Sequence, residues 1–469
     1  MNPRSAVLRH DRRPAQALGL LLLLTVAFAL LIASLQQARA AEVQRVVSPG
    51  GIEAWLIEDH SNPIFSMEFS FKGGTALDPA EKPGTANMLA GLLDEGAGPY
   101  DSKAFRAKLE NLSIQLSYSA SRDRFSGSFQ TLTENREEAL ELLRLSLSEP
   151  RFDEEPVERI RGQILVGLSR QETDPRSIAS RVLWKSFFPD HPYGNNSDGT
   201  VESVTEIAVA DLDGYRRQEL TLDRLKIGVV GDVTPAELGP ILDLVFSSLP
   251  PEGGPLPDET VSPQNLGETM VVEQEVPQSV VSFGHEGVLR GDPDYYTAYV
   301  VNYVLGGGGF SSRLFEEVRE KRGLAYSVGS YLYPFDDAAL VVGGTATANE
   351  RVAESLAVIR EEWTRMAAEG PSAEELEHAK TYLTGSFPLR FSNSPRIAGM
   401  LVGMQQENLG IDYLERRNAY IEAVTLEDAK RVAAELFQPD KLIVVVVGKP
   451  QDVEATRAAP EEVSPEPRG

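Results

Sequence analysis

The chain has 469 residues, 42% of them hydrophobic and 25% charged, with a formal net charge of −25 at pH 7. It is too long for one ordinary core, so two or more domains are expected. The negative charge argues against nucleic acid as a partner, because phosphates would be repelled, and the lack of cysteine excludes disulfides, lipoprotein attachment and thiol catalysis.

Residues 1–40 read as an export signal. Arg4, Arg9, Arg12 and Arg13 give a positive start, an apolar run covers 17–35, and Ala38-Arg39-Ala40 fits a small-x-small cleavage site before Ala41. Arg12-Arg13 matches only a fragment of a twin-arginine signal, and Pro14 interrupts it. The apolar run is roughly 19 residues, long enough to span a bilayer, so a retained N-terminal membrane anchor is the alternative to cleavage. Loss of residues 1–40, with five Arg and one Asp, takes the charge from −25 to −29. The exported product would be periplasmic, free or held at the inner membrane.

Residues 43–57 predict a strand pair around Gly50-Gly51. The alternating residues 65–71 (FSMEFSF) predict a half-buried strand. Pro83-Gly84 introduces a helix over 85–93. Helices are expected over 102–112, 134–148, 154–173 and 177–187, and a hairpin over 113–132 with its turn at 121–123. Asp94-Glu95 and Glu154-Glu155 read as ordinary carboxylates of exposed helix ends. Residues 250–264 form a proline-rich linker, expected to be extended and solvated. The Ala-, Pro- and Glu-rich tail from Ala455 reads as disordered.

Three echoes in register indicate an internal repeat. Val201-Glu202-Ser203-Val204-Thr205 recurs as Ile421-Glu422-Ala423-Val424-Thr425, and Pro175-Arg176-Ser177-Ile178-Ala179 as Pro395-Arg396-Ile397-Ala398. LKIGVVG from Leu225 matches LIVVVVG from Leu442. The expected organisation is a signal or anchor over 1–40, an N-terminal domain over 41–249, a linker over 250–267, a C-terminal domain over 268–452 and a tail over 453–469.

The stretch from Val304 to Tyr331, VLGGGGFSSRLFEEVREKRGLAYSVGSY, carries the functional argument. An apolar helix breaks at Gly306, Gly307, Gly308 and Gly309, which allow close backbone approach. Ser311 or Ser312 would cap a second helix. Leu314, Phe315 and Val318 would form its apolar stripe, and Glu316, Glu317, Arg319, Glu320 and Lys321 its wet face. Gly323 would end it before a strand over 325–332. A plain glycine turn before an amphipathic helix accounts for this pattern too. A Walker-type phosphate loop does not, because Phe310-Ser311 stands where Lys-Ser/Thr is needed.

This stretch resembles the second-domain signature of the insulinase/pitrilysin family of zinc peptidases, which includes the mitochondrial processing peptidases. The matching residues are the glycines, Ser312-Arg313-Leu314-Phe315, Arg319, and Tyr326 after Gly323-Leu324-Ala325. The resemblance implies an α+β fold: two homologous α/β-sandwich domains in tandem, each an antiparallel sheet packed with helices, in a bowl-like arrangement. It also implies that Arg319 and Tyr326 act at a zinc site and that the glycines 306–309 let an extended peptide lie against the backbone. Taken singly, Arg319 could equally pair with Glu316 or Glu320, and Tyr326 could be a half-buried strand aromatic.

The family's zinc motif, His-x-x-Glu-His, needs two imidazoles on one helix face and a general base between them. Set against it, the helix from Gly84 to Leu93 puts Asn87 and Gly91 at the histidines and Ala90 at the glutamate. The further Glu falls in the apolar stretch 166–168. The five histidines, His10, His60, His191, His285 and His378, are scattered, with His191 expected in a loop or cap and His378 on a solvated face. The chain is therefore expected to hold no cofactor. The resemblance implies a homologous zinc-motif subunit as heterodimer partner, carrying the zinc, and unfolded peptides as substrates. The alternative is a binding or scaffold protein of the same fold with no peptidase role.

Overall fold

The computed structural model describes residues 42–256 and 260–461. The signal or anchor, His10 and the last eight residues lie outside the described residues.

The first half opens with an antiparallel pair, β1 (Gln44–Val47) and β2 (Glu53–Glu58), around Gly50-Gly51. β3 (Ile64–Lys72) and α1 (Thr85–Ala90) follow. Next come α2 (Ser102–Asn111) and the hairpin β4 (Gln115–Ala120) with β5 (Arg124–Leu132). Then come α3 (Arg136–Ser148), α4 (Glu154–Gln171), α5 (Pro175–Phe187), α6 (Val201–Glu206) and α7 (Val209–Glu219). β6 (Leu225–Gly231) and α8 (Pro235–Phe246) close this half. Helix starts follow local chemistry: Thr234 and Glu237 form a capping box around Pro235.

The second half repeats the pattern. It runs β7 (Thr269–Glu273), β8 (Gln278–Glu286), α9 (Tyr295–Asn302), β9 (Ala325–Pro334) and β10 (Ala339–Ala348). α10 (Val352–Glu369), α11 (Ala373–Gly385), α12 (Ser394–Gln406), α13 (Tyr413–Glu422), α14 (Leu426–Leu436) and β11 (Ile443–Gly448) complete it. The sheet orders are β1-β2-β6-β3-β5-β4 and β7-β11-β8-β10-β9. Without β1 the two are the same topology. The fold is α+β, and both sheets are mixed rather than antiparallel: β2–β6 and β7–β11 run parallel. The last strand of each half returns through a helical crossover, which permits parallel pairing.

The halves exchange helices. α5 leaves the first half and buries Ile178, Val182 and Phe187 against Ile443, Val445 and Val447 of the second sheet. α12 returns the favour to the first sheet, with Gln405 Nε2 donating to the Ile227 carbonyl at 2.8 Å. A Cβ on Gly228 would sit 2.2 Å from the Ala398 carbonyl oxygen, so the helix lies directly on the strand. This exchange corrects the half-buried reading of β3. Its polar face is covered as well, and Ser66 and Ser70 are buried.

The linker is exposed near Pro251 but pinned: Pro250 accepts from Leu222 N, and Val261 N donates to Asp337 at 2.7 Å. The start of the tail is ordered, contrary to expectation. Thr456 N donates to the Thr269 carbonyl at 2.9 Å and Thr456 Oγ1 accepts from Thr269 N at 2.8 Å, satisfying the edge of β7.

Candidate functional site

After α9 the chain takes a π-helical turn, Tyr303–Gly307. A Cβ on Gly306 would meet Ser330 Oγ at 2.3 Å and Ser330 N at 2.7 Å, so only glycine fits against β9. Asn302 seals the contact, donating from Nδ2 to the Ser330 carbonyl at 3.1 Å and accepting from Ser330 Oγ at 2.7 Å. Gly307 and Gly308 also face the chain's own atoms, at Asn302 and Tyr303. Gly309, in the left-handed region at φ 55°, faces open space and presents Phe310, which is 78% exposed.

The second helix is capped by Ser312, whose Oγ accepts from Phe315 N at 3.4 Å. Leu314, Phe315 and Val318 form its buried stripe. From Phe315 to Glu320 the helix is again π-helical. Such turns are rare and concentrate at functional sites. Gly323, at φ 58°, ends it and β9 begins at Ala325. One residue of the wet face is misplaced in the sequence reading. Glu317 is 10% exposed and sits between Lys321 at 2.7 Å and Arg322. Arg313, in the same motif, faces inward and grips Glu375 with Nε and Nη2 at 2.6 and 2.7 Å. Its burial is a tertiary fact, invisible in the spacing.

Arg319 and Tyr326 come together at the surface. The guanidinium lies 4.8 Å from the Tyr326 ring centre, 4.7 Å from Phe315 and 5.5 Å from Phe310. These are cation–π distances. The Arg319 side chain is 28% exposed and Tyr326 is 83% exposed. Glu320 stands 3.6 Å from Arg319 Nε, whereas Glu316 turns to Lys321 at 3.0 Å. Arg319 is thus a held, partly exposed cation beside a phenol.

At the other candidate position, α1 carries Asn87, Ala90 and Gly91. Asn87 Nδ2 donates to Asp198 Oδ1 at 3.2 Å, and Gln171 Nε2 donates to Asp198 Oδ2 at 2.7 Å. Asn196 in turn donates to Gln171 at 3.2 Å. This amide–carboxylate network ties α1 to α4. Ala90 is buried, and a Cβ on Gly91 would be 3.2 Å from Ile160 Cγ2, which leaves no space for an imidazole. Val166 is exposed and Leu168 buried, and neither offers an oxygen ligand. An amide, a methyl and a hydrogen do not fit zinc.

The described histidines lie elsewhere. His60 Nδ1 pairs with Asp232 at 2.7 Å, His191 Nδ1 accepts from Tyr193 N at 3.2 Å, and His378 is exposed. Among the described residues no three His, Cys, Asp or Glu gather as a metal site. Glu95 corrects the exposed-end reading. It is 4% exposed and bonded to Ser102 at 2.5 Å, Arg159 at 2.7 Å and Arg106 at 3.1 Å.

Fold and site together define a class: a two-domain peptidase scaffold whose metal positions hold non-ligands while the distant Arg/Tyr segment is intact. Comparison with known proteins agrees. The model "Insulinase (Peptidase family M16)" matches residues 54–200, and "Peptidase M16 inactive domain" matches residues 206–383. The chain belongs to the insulinase, or M16, peptidase family, with Asn87, Ala90 and Gly91 where that family's zinc motif has its ligands and base. It is 28% identical over 334 residues to "Non-peptidase homolog YmxG" of Helicobacter pylori, covering 71% of this chain and 77% of that one. A crystal structure of a peptidase M16 inactive domain from Pseudomonas fluorescens superposes with a TM-score of 0.81 at 28% identity, covering 89% of this chain and all (100%) of that one. A chain of complex III2 from Candida albicans shares the fold, with a TM-score of 0.74 at 18% identity, over 88% of this chain and 98% of that one.

Proposed function

We propose that this chain is the non-metal subunit of a heteromeric zinc peptidase. A homologous partner supplies the zinc and the general base. This chain supplies Arg319 and Tyr326, which hold the main chain of an unfolded peptide and stabilise the developing oxyanion. The observation that carries the reading is their placement. Both side chains reach the surface in mutual contact, on a segment locked to β9 by Gly306, Ser330 and Asn302. A structural scaffold has no need of such a pair.

The peptide would bind partly by strand addition. β4 and β9 end their sheets. On β9 the Ser330 carbonyl is already taken by Asn302. Of the glycines, Gly309 and the adjoining Phe310 are the part open to a substrate. The chain is exported and works in the periplasm. N-terminal sequencing of the purified native protein should begin at Ala41; a start near Met1 would show an anchored form.

Purified alone, the chain should bind no stoichiometric zinc and cleave no peptide. Mixed with an M16 homologue bearing His-x-x-Glu-His, it should raise peptidase activity. Arg319→Ala should then lower kcat by roughly a hundredfold, and Tyr326→Phe by less, with assembly unchanged in size-exclusion chromatography. Assembly without any rise in hydrolysis would favour the scaffold role instead.

A further inference from the structure

We propose that Arg322 and Glu317 are positioning residues, which clasp the second helix in its π register and so hold Arg319 against Tyr326. This rests on the reading of Arg319 as a substrate-binding group. In an α-helix the Glu317 carbonyl would accept from Lys321 N. Here Lys321 N donates one residue further back, to Glu316 at 2.9 Å, and Leu324 N reaches Val318 at 2.8 Å. The Glu317 carbonyl is taken instead by Arg322 Nη1 at 2.9 Å. The same nitrogen bonds the Glu317 carboxylate, which Lys321 Nζ also meets at 2.7 Å. One guanidinium thus satisfies a carbonyl freed by the π turn and pairs with that residue's own buried side chain.

The upstream end is fixed separately. Arg313 grips Glu375 at 2.6 and 2.7 Å and donates to the Gly370 carbonyl at 3.0 Å. Between these two anchors the segment holds its extra residue. A slip to α register would turn everything beyond it by about 100°. That rotation would take Arg319 off the Tyr326 ring. Buried Leu314 and Val318 fix which face is inward, and the ion pairs fix the register.

The test uses the full chain with labelled arginine. The Arg319 side-chain signal, assigned by its loss in Arg319→Lys, should carry a ring-current shift from Phe315, Tyr326 and Phe310, and the share lost in Tyr326→Leu measures the contact with Tyr326. Arg322→Ala should remove that share of the shift while circular dichroism stays native. Arg322→Lys, which keeps the charge but not the fork, should remove part of it. Should Arg322→Ala fail to fold, Glu317→Gln is the milder variant and should show the same loss. In a hydrolysing mixture with a zinc-bearing homologue, Arg322→Ala should lower kcat about tenfold. The double variant with Arg319→Ala should be no slower than Arg319→Ala alone. An unchanged Arg319 shift in the folded Arg322 and Glu317 variants would overturn the inference, as would additive losses of rate. Loss of the shift with no hydrolysis by any mixture would uphold the clasp and sink the peptidase reading instead.

Discussion

In the second core His285 is held neutral. Its Nδ1–H donates to the Glu286 carbonyl at 2.6 Å, and its Nε2 accepts from the indole N–H of Trp363 at 2.9 Å. Burial pushes its pKa down to about 4, against an ordinary value near 6.5. A folded-state pKa below the unfolded one means that the unfolded chain takes up the proton first. Stability is therefore full above pH 6.5 and drains away as pH falls toward 4, by roughly 3 kcal/mol. Urea titrations followed by Trp363 fluorescence should show that loss. His285→Gln should flatten it while lowering stability at neutral pH. Glu68 works in the opposite sense. Half-buried on β3, with one hydrogen bond from Ser128 at 2.5 Å, its pKa is pushed up to about 7 by desolvation. Its contribution falls as pH rises from 4.5 through 7, so Glu68→Gln should raise the Tm at pH 8 and do little at pH 5. Neither position announces this in the sequence. His285 reads as one histidine in a strand, and Glu68 as the solvent side of an alternating one.

At the scale of elements, the exchanged helices set the tightest constraints. Gly228 lies mid-strand in an apolar run, where nothing local asks for glycine. The reason is the Ala398 carbonyl of α12, 2.2 Å from where its Cβ would be. Gly228→Ala should cost about 3 kcal/mol in urea unfolding, because the obstacle is backbone and cannot rotate away. The Pro-Arg echo in the sequence falls at the starts of α5 and α12, the two helices that change sides. The third echo falls on β6 and β11, each beside the matching parallel partner. The glycines at 306–308 were legible as a place of close approach. What approaches is β9 of the same chain, which no spacing could show.

For the molecule as a whole, the two halves also meet where their equivalent hairpin turns face each other. Arg124, after the β4–β5 turn, makes paired hydrogen bonds of 2.6 and 2.6 Å to Asp336 of the β9–β10 turn. Asp123 accepts from Asp336 N at 3.1 Å and from Tyr193 OH at 2.6 Å. Arg122 stacks 4.2 Å over Trp184 of α5. Arg124→Ala leaves Asp336 half-buried beside Lys72 alone, and should cost about 2–3 kcal/mol after allowance for partial solvent access. In calorimetry that loss should broaden or split the unfolding transition, because this joint couples the halves. A single sharp transition at the native midpoint would mean that the exchanged helices carry the coupling without it.

The chain's own order of residues determined most elements of the first half, the family to which it belongs and the absence of zinc ligands from α1. Each of these depends on side-chain types at short spacing, and so on chemistry that neighbours along the chain can express. Tertiary structure decided which sheet α5 and α12 cover, that Glu317 and Glu95 are buried among arginines, and that Arg319 lies on Tyr326 in a π register. Those outcomes turn on contacts between distant segments, where an arginine's partner and a glycine's obstacle come from another part of the fold.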